Sequence, residues 1–258
     1  MWNTLVIEPM LNLLLWIYSL IGGNLGLAII LFTILIRLIT YPLTASQMKS
    51  SQKMQEMQGN EKWKAMQKKY KDDKEKLAQE QMKLYKELGV NPLASCLPTI
   101  IQLPILFGLY GALIQAMAAT PHQLLGLSKL IYPFINAAQL FPLNNHFLWM
   151  NLAQPERLPI FGIAVPTLTI LVVITTWLQS KVMTPPSSNP GDQGAQMGKM
   201  MNLYMPFMMG MIAYSLASGL AIYFLASNVV GIAQYAAMGK TNWKNLLPSF
   251  LISKEKSN

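Results

Sequence analysis

The chain has 258 residues, of which 52% are hydrophobic and only 12% are charged, and its mean hydropathy is +0.31. Soluble domains of this length are rarely so apolar, so the composition favours an integral membrane protein. The single cysteine, Cys96, excludes a disulfide framework within the chain, and no Cys or His spacing indicates a metal site. We therefore expect no metal and no other cofactor.

Residues 1–24 predict a helix that lies in the external membrane interface, because Glu8, Pro9 and Asn12 interrupt its apolar positions. No charged region precedes this segment and no small-residue cleavage site follows it, so we expect no removable signal peptide. Residues 25–45 form the first segment long enough to span, since about 20 residues cross a hydrocarbon core of about 30 Å.

Lysines are concentrated in residues 46–95, which predict a charged cytoplasmic hairpin of helices. Gly59 and Asn60 interrupt its first helix, whereas Asp72 and Asp73 supply N-cap chemistry for its second. The methionines of the hairpin suit either the capture of apolar substrates or packing between the two helices. Both interpretations stay open at the level of sequence.

Four further apolar segments predict the second to fifth spans. They cover residues 96–119, 160–181, 199–217 and 218–239, with an external loop over 120–159, a cytoplasmic loop over 182–198 and a basic cytoplasmic tail over 240–258. Apart from Lys129 and Arg157, the basic residues of the connections fall on the side of the hairpin. The positive-inside rule then places the N-terminus outside and the C-terminus in the cytoplasm.

Catalytic chemistry is not indicated. The two histidines, His122 and His146, lie in the external loop without metalloprotease spacing, and the chain has no nucleophile elbow. No predicted span contains Asp or Glu to act as acid, base or metal ligand. The chain is therefore predicted not to be an enzyme.

Arg37 is the only charged residue of the first span. One interpretation is that its long side chain snorkels to the nearby cytoplasmic interface. The other is that it faces a wet cavity, because no span offers it an acidic partner and an unpaired charge in lipid costs about 3 kcal/mol on insertion scales. Other polar residues occur at similar depth, namely Thr33, Gln102, Gln179, Asn202 and Asn228. Amides at one depth are also compatible with hydrogen bonds between helices alone, so the unpaired charge of Arg37 is the main support for a cavity open to the cytoplasm.

Three long stretches resemble the YidC family of membrane protein insertases. They read "LAIILFTILIRLITYPLTASQMKSSQKMQEMQ", "KYKDDKEKLAQEQMKLYKELGVNPLASCLPTIIQLPILFGLY" and "YMPFMMGMIAYSLASGLAIYFLASN". The resemblance implies an all-α membrane protein with five spans around a hydrophilic groove that is open to the cytoplasm. It also implies insertion of other membrane proteins, alone or with the Sec translocon. The groove residues expected from the resemblance and from the polar positions together are Arg37, Thr33, Gln102, Gln179, Asn202, Tyr223, Phe224 and Asn228.

The resemblance has departures. A long external domain and a lipoprotein cysteine are missing, which is typical of a minimal bacterial form, and Phe224 stands where many members have Tyr or Trp. The implied partners are nascent membrane proteins, the Sec translocon, anionic lipids and, through the hairpin and basic tail, the ribosome. We expect a functional monomer. A small transporter or channel is the alternative, although no internal repeat or intramembrane carboxylate supports it.

Overall fold

The structure is a computed structural model. It describes residues 1–46, 49, 53, 60–70, 73–87, 89, 97–117, 120–136, 140–160, 163–183 and 193–239. The predictions made for Gly59, Asp72 and the basic tail over 240–258 lie outside these residues.

The described chain is mostly helical. A π-helical turn over Asn3–Ile7 leads into α1, Glu8–Leu20, which is followed by α2, Leu25–Ile39; α3, Glu61–Lys69; α4, Lys74–Glu87; α5, Leu97–Ala116; α6, Pro121–Ser128; α7, Thr167–Met183; α8, Gln193–Ser215; and α9, Ser218–Ala237. The side chain of Asn24 caps α2 by accepting a hydrogen bond from the Leu27 amide at 3.0 Å. A capping box formed by Thr120 and Gln123 starts α6.

Two short antiparallel ribbons correct the expectation of an all-α fold. In the first, β1, His146–Phe147, pairs with β2, Met150–Asn151, and in the second, β3, Leu158–Ile160, pairs with β4, Ile163–Val165. The second ribbon occupies the start of the segment predicted as the third span, residues 160–181. The helix begins only at Thr167, because Pro166 precedes it and its carbonyl accepts the first helical bond, from Ile170.

Helix α9 packs against α2, α7, α8 and α5, while α7 packs along α8, and α1 along α2 and α5. The core between them is apolar and includes Leu11, Phe32, Leu113, Val172 and Leu220, each no more than 1% exposed. Glycines allow some of these helices to approach closely. A Cβ on Gly111 of α5, for example, would lie 2.8 Å from the Ile7 side chain.

Large apolar side chains also cover the outside of these helices. They include Leu31 of α2, Phe107 of α5, Ile174 of α7 and Phe207 of α8, all exposed. Two continuous helices in the described residues, Asn3–Leu20 and Ser218–Ala237, are long and apolar enough to cross a membrane, and Leu25–Ile39, Gln102–Ala116 and Thr167–Met183 are shorter apolar helices. An apolar exterior of this extent suits a lipid environment. The interfacial position of residues 1–24 stays a prediction.

Helices α3 and α4 pack against each other as a hairpin. Asp73 caps α4 as predicted, accepting a hydrogen bond from the Lys76 amide at 3.1 Å. The hairpin has its own small core, in which buried Trp63 and Leu84 contact Met66 and Tyr85. Met66 therefore takes part in packing between the helices, whereas Met82 is half exposed.

The helices of the main core define two ends. The loop end contains the starts of α2, α7 and α9, the ends of α5 and α8, and the loop over 120–166. The arginine end is the opposite one and contains Arg37, near the end of α2, and Gln234, near the end of α9. Among the site residues predicted from the sequence, Arg37 and Gln102 lie toward the arginine end, whereas Tyr223 and Phe224 lie in the first half of α9, which starts at the loop end.

Candidate functional site

Arg37 lies in the last turn of α2 and is partly buried. Its guanidinium donates to one oxygen, Oγ of Ser227 on α9, from Nε at 3.0 Å and from Nη2 at 2.5 Å. Its backbone carbonyl is among the last four of the helix, where amide partners within the helix run out, and the Thr40 hydroxyl approaches it at 3.4 Å. Gln234 of α9 supplies a further partner, because its Nε2 donates to this carbonyl at 2.9 Å. Arg37 is thus fixed to α9 at both its side chain and its main chain.

Ser227 also connects Arg37 to α5. Tyr223 lies one turn earlier on the same face of α9, with its hydroxyl beside that of Ser227. The Tyr223 hydroxyl in turn accepts a hydrogen bond from Nε2 of Gln102 on α5. One polar network therefore joins α2, α9 and α5, and it contains three of the residues predicted for the groove: Arg37, Gln102 and Tyr223.

The partners of the Arg37 guanidinium are neutral. Ion pairs in the described part of the chain join Lys76 to Asp73 and Lys83 to Glu80, all on the hairpin. A hydroxyl oxygen accepts hydrogen bonds from a guanidinium without cancelling its charge. Arg37 therefore keeps a net positive charge inside a largely apolar group of helices.

Two other predicted residues lie where α7 meets α9. Asn228 donates from Nδ2 to Oγ1 of Thr176 at 2.8 Å and to Oγ1 of Thr175 at 3.1 Å. The amide of Gln179 lies against Gly231, where an added Cβ would come within 2.6 Å of Nε2. These amides belong to the contact between two helices rather than to the network around Arg37.

Thr33 and Phe224 lie within the packed core. Thr33 is 0% exposed, and its hydroxyl donates to the Ile29 carbonyl of its own helix at 2.6 Å. Phe224 is 5% exposed, and its ring centroid lies 5.6 Å from that of Tyr223. Neither side chain presents an open surface in this conformation. The side chain of Asn202 lies outside what the structure describes.

Sequence reasoning missed Ser227 and Gln234, the two residues that hold Arg37. Their spacing was the available signal, because Tyr223, Ser227 and Gln234 recur on one helical face at intervals of four and seven residues. A serine inside a span most often bonds to its own helix, so its partner is visible only when the neighbouring helix is known.

The loop end is joined by a different set of polar contacts, beginning with Asn12 of α1. Asn12 is 2% exposed. Its Nδ2 donates to the Leu130 carbonyl and to the Glu8 carbonyl, each at 2.8 Å, and its Oδ1 accepts from the Tyr132 amide at 2.7 Å. Asn12, on which the prediction of an interfacial helix partly rests, therefore joins α1 to the loop over 120–166.

Glu156 is a second polar contact of the loop end. Its Oε2 accepts from the Leu168 amide at 3.0 Å, in the first turn of α7, and its Oε1 accepts from the Thr167 hydroxyl at 2.8 Å. Trp149 donates to the same Oε1 at 3.1 Å. A carboxylate at a helix N-terminus satisfies free amides and interacts favourably with the helix dipole.

The turn between α8 and α9 also binds the loop. The Ser218 amide donates to the Gln154 carbonyl at 2.9 Å, with a second bond from the Ser218 hydroxyl, and the Gly219 amide donates to the Leu152 carbonyl at 3.1 Å. Phe147 packs on Gly26 of α2, where an added Cβ would meet its ring at 2.2 Å. The absence of a side chain at Gly26 therefore lets an aromatic ring of the loop pack against α2.

Comparison with known proteins places this helical fold in a family. A family model for the 60Kd inner membrane protein matches residues 16–245. Relatives called "Membrane protein insertase YidC" include one from Syntrophobacter fumaroxidans, 36% identical over 90% of this chain and 37% of its own length, and one from Oceanobacillus iheyensis, 33% identical over 93% of this chain and 84% of its own length. The chain belongs to the YidC family. It is thus related to bacterial inner membrane proteins, as the sequence motifs predicted.

A further member of the YidC family, from Fusobacterium nucleatum, is 36% identical over 84% of this chain and 88% of its own length. A solved structure, titled "Active YidC insertase crystal structure with the first transmembrane domain resolved", matches with a TM-score of 0.56 and 26% identity over 90% of this chain and 46% of that chain. The chain spans about a third of the length of several curated relatives, 37% for the Syntrophobacter protein.

Proposed function

We propose that this chain inserts newly made membrane proteins into the bacterial cell membrane and helps them fold. Family membership supports the proposal, since several relatives carry the name membrane protein insertase. The observation that supports the mechanism is that the charge of Arg37 is not neutralised by its partner. It is a permanent charge within apolar helices, and a neutral hydroxyl rather than a carboxylate holds it.

The mechanism begins with a hydrophilic groove at the arginine end. Moving a polar tail through lipid is opposed mainly by desolvation, so a wet path through part of the bilayer lowers the barrier. We propose that the groove opens to the cytoplasm and is lined by Arg37, Thr33, Gln102, Gln179, Asn202, Tyr223, Phe224 and Asn228. Because Thr33 and Phe224 are buried in the present conformation, they reach a substrate only after the side chains that cover them move.

Arg37 then recruits the substrate. Its uncompensated charge attracts acidic residues in a short hydrophilic tail, and the attraction is strong because the surroundings are largely apolar. The apolar segment of the substrate next moves from the groove into lipid. Burial of apolar area in lipid drives this step at about 25 cal/mol per Å². The cycle requires neither a nucleotide nor a metal ion.

The partners follow from the same proposal. Nascent membrane proteins are the substrates, and the Sec translocon cooperates for some of them. Lysines on the hairpin suit anionic lipid or ribosomal RNA, both of which carry phosphates. The chain acts as a monomer, with its N-terminus outside and its C-terminus in the cytoplasm.

The test is insertion of a purified single-span substrate with an acidic tail into liposomes that contain this protein. We expect protease-protected substrate with the wild-type chain and a loss of most of it with Arg37→Ala. Arg157→Ala is the matched control, since Arg157 is the other arginine of the chain. It lies at the loop end, where its Cζ is 5.4 Å from the centroid of the Tyr214 ring. This variant should insert nearly as well as the wild type.

The outcomes separate the parts of the proposal. Full insertion by Arg37→Ala would contradict the charge mechanism but leave the insertase function standing. No insertion by the wild-type chain, together with solute or ion flux at transporter-like rates, would instead support a small transporter or channel.

A further inference from the structure

We propose that Ser227 is a positioning residue that holds the Arg37 guanidinium in place without neutralising it, and thereby sets the preference for acidic substrate tails. The inference rests on the proposed function. Ser227 is 3% exposed, and its Oγ accepts from both Nε and Nη2 of Arg37. Two donors on one acceptor fix the direction of the planar guanidinium as well as its distance.

The chemistry of the holding group matters more than its presence. A guanidinium has five N–H donors, of which Ser227 occupies two, and within the described ranges the other three bond to no side chain or carbonyl, so a second acceptor can reach them. A carboxylate at position 227 would form a bidentate ion pair and cancel the charge. An apolar residue would leave the charge but release the side chain to snorkel toward the interface. Serine combines a fixed direction with an uncompensated charge.

Two further contacts surround this pair. The Tyr223 hydroxyl lies beside that of Ser227, and Gln102 of α5 donates to Tyr223. Gln234 donates to the backbone carbonyl of Arg37, so α9 orients both the side chain and the main chain of Arg37. A substrate carboxylate that binds the remaining donors would then meet a guanidinium already held in one orientation, which lowers the entropy lost on binding.

The primary test is a ratio. Insertion is measured for a substrate with an acidic tail and for the same substrate with each Asp or Glu of the tail changed to Asn or Gln, and the two efficiencies are divided. Ser227→Asp should bring this ratio close to one, because it neutralises Arg37. Ser227→Ala should lower the ratio by about threefold or more, the fold-change of an average hydrogen bond in a membrane protein. Ser227→Thr keeps the hydroxyl and should keep the wild-type ratio.

The ratio separates positioning from a merely structural role, because loss of folding lowers both efficiencies together and leaves their ratio unchanged. Ser215→Ala is the matched control, since the Ser215 hydroxyl is exposed and bonds to the Met211 carbonyl of its own helix. It should change neither efficiency. An unchanged ratio in Ser227→Ala and Ser227→Asp would overturn the inference.

A second measurement decides the inference without any insertion. In an Arg157→Lys background, Arg37 is the only arginine that an arginine-specific dicarbonyl can modify. Its rate of modification in detergent should rise by about threefold or more in Ser227→Ala, where the guanidinium is released. The rate should fall in Ser227→Asp, where the guanidinium is ion-paired. Equal rates in the three proteins would contradict the positioning role, whereas failure of the wild type to insert any substrate would contradict only the proposed function.

Discussion

At the loop end, most of the long-range polar contacts involve a main-chain group, whereas at the arginine end most of them join two side chains. Asn12 and Glu156 contact backbone amides or carbonyls that cannot rotate away, and the α8–α9 turn adds backbone bonds of its own. Arg37, Gln102 and Asn228 donate to hydroxyl oxygens, which belong to side chains that can rotate toward other donors. We infer that the loop end stays closed while the arginine end can open to admit a substrate.

Among these variants, we expect Asn12→Ala to cause the largest fall in the free energy of unfolding. The change leaves the Leu130 carbonyl and the Tyr132 amide without their partner, and each buried group left unpaired costs about 1–3 kcal/mol. We expect the free energy of unfolding to fall by about 3 kcal/mol in a denaturant titration in detergent. Ser19→Ala is the control on the same helix, because Ser19 is exposed and bonds only within it. A loss no larger than that of the control would remove the basis for a closed loop end.

Glu156→Gln tests the second contact of the loop end. It removes a charge that interacts with the first turn of α7 but keeps one oxygen acceptor, so the free energy of unfolding should fall by about 1 kcal/mol. Glu75→Gln, an exposed acidic residue in the first turn of α4, should cost only about 0.3 kcal/mol. Equal losses in the two variants would mean that Glu156 does no more than an ordinary surface charge.

Asn228→Ala is the counterpart of Asn12→Ala, because it also replaces a buried asparagine by alanine, here in the contact between α7 and α9. Its partners are hydroxyls, and that of Thr175 also donates to the Leu171 carbonyl at 2.8 Å. The free energy of unfolding should therefore fall by only about 0.6 kcal/mol, the average for hydrogen bonds between helices in a membrane protein. The two variants measured side by side compare the ends directly. The contrast fails if Asn228→Ala costs as much as Asn12→Ala.

The smallest expected effect is a shift in the titration of Tyr85. This residue lies in the hairpin, which belongs to neither the loop end nor the arginine end and so serves as a reference for both. Burial beside Trp63 raises the pKa of the Tyr85 phenol above its ordinary value. A raised pKa in the folded state means that the contribution of Tyr85 to stability is complete below about pH 10 and is lost as pH rises through the folded pKa. The difference in phenolate absorbance between the wild type and Tyr85→Phe should therefore titrate above the midpoint of a free tyrosine. A midpoint at or below that of free tyrosine would show that the hairpin core is open.

Sequence predicted the parts of the fold that local pattern determines. Apolar length indicated the helices around Arg37, and Asp73 was recognised as a cap because the capping signal lies within a few residues of the helix it starts. The ribbon over Leu158–Val165 was missed, since a short apolar strand resembles the first turn of a buried helix.

Long-range partners could not be predicted in the same way. Asn12 was interpreted as a polar interruption, yet its bonds reach residues Leu130 and Tyr132, far along the chain. Arg37 was recognised as unusual from its lack of an acidic partner, but Ser227 and Gln234 became visible only when α2 and α9 were packed together. The identity of a polar residue is a local fact, whereas its partner is a property of the tertiary fold.

The most direct test of the difference between the two ends compares two cysteines on one helix. In a Cys96→Ser background, Gln102→Cys places a thiol toward the arginine end of α5, and Ala116→Cys places one at its loop end, where Ala116 is 1% exposed. The rate of labelling with a membrane-impermeant maleimide is measured in vesicles opened to both sides. We predict labelling at position 102, faster when substrate is being inserted, and almost none at position 116. Equal labelling at the two positions, or labelling at 116 alone, would contradict an arginine end that opens while the loop end stays closed.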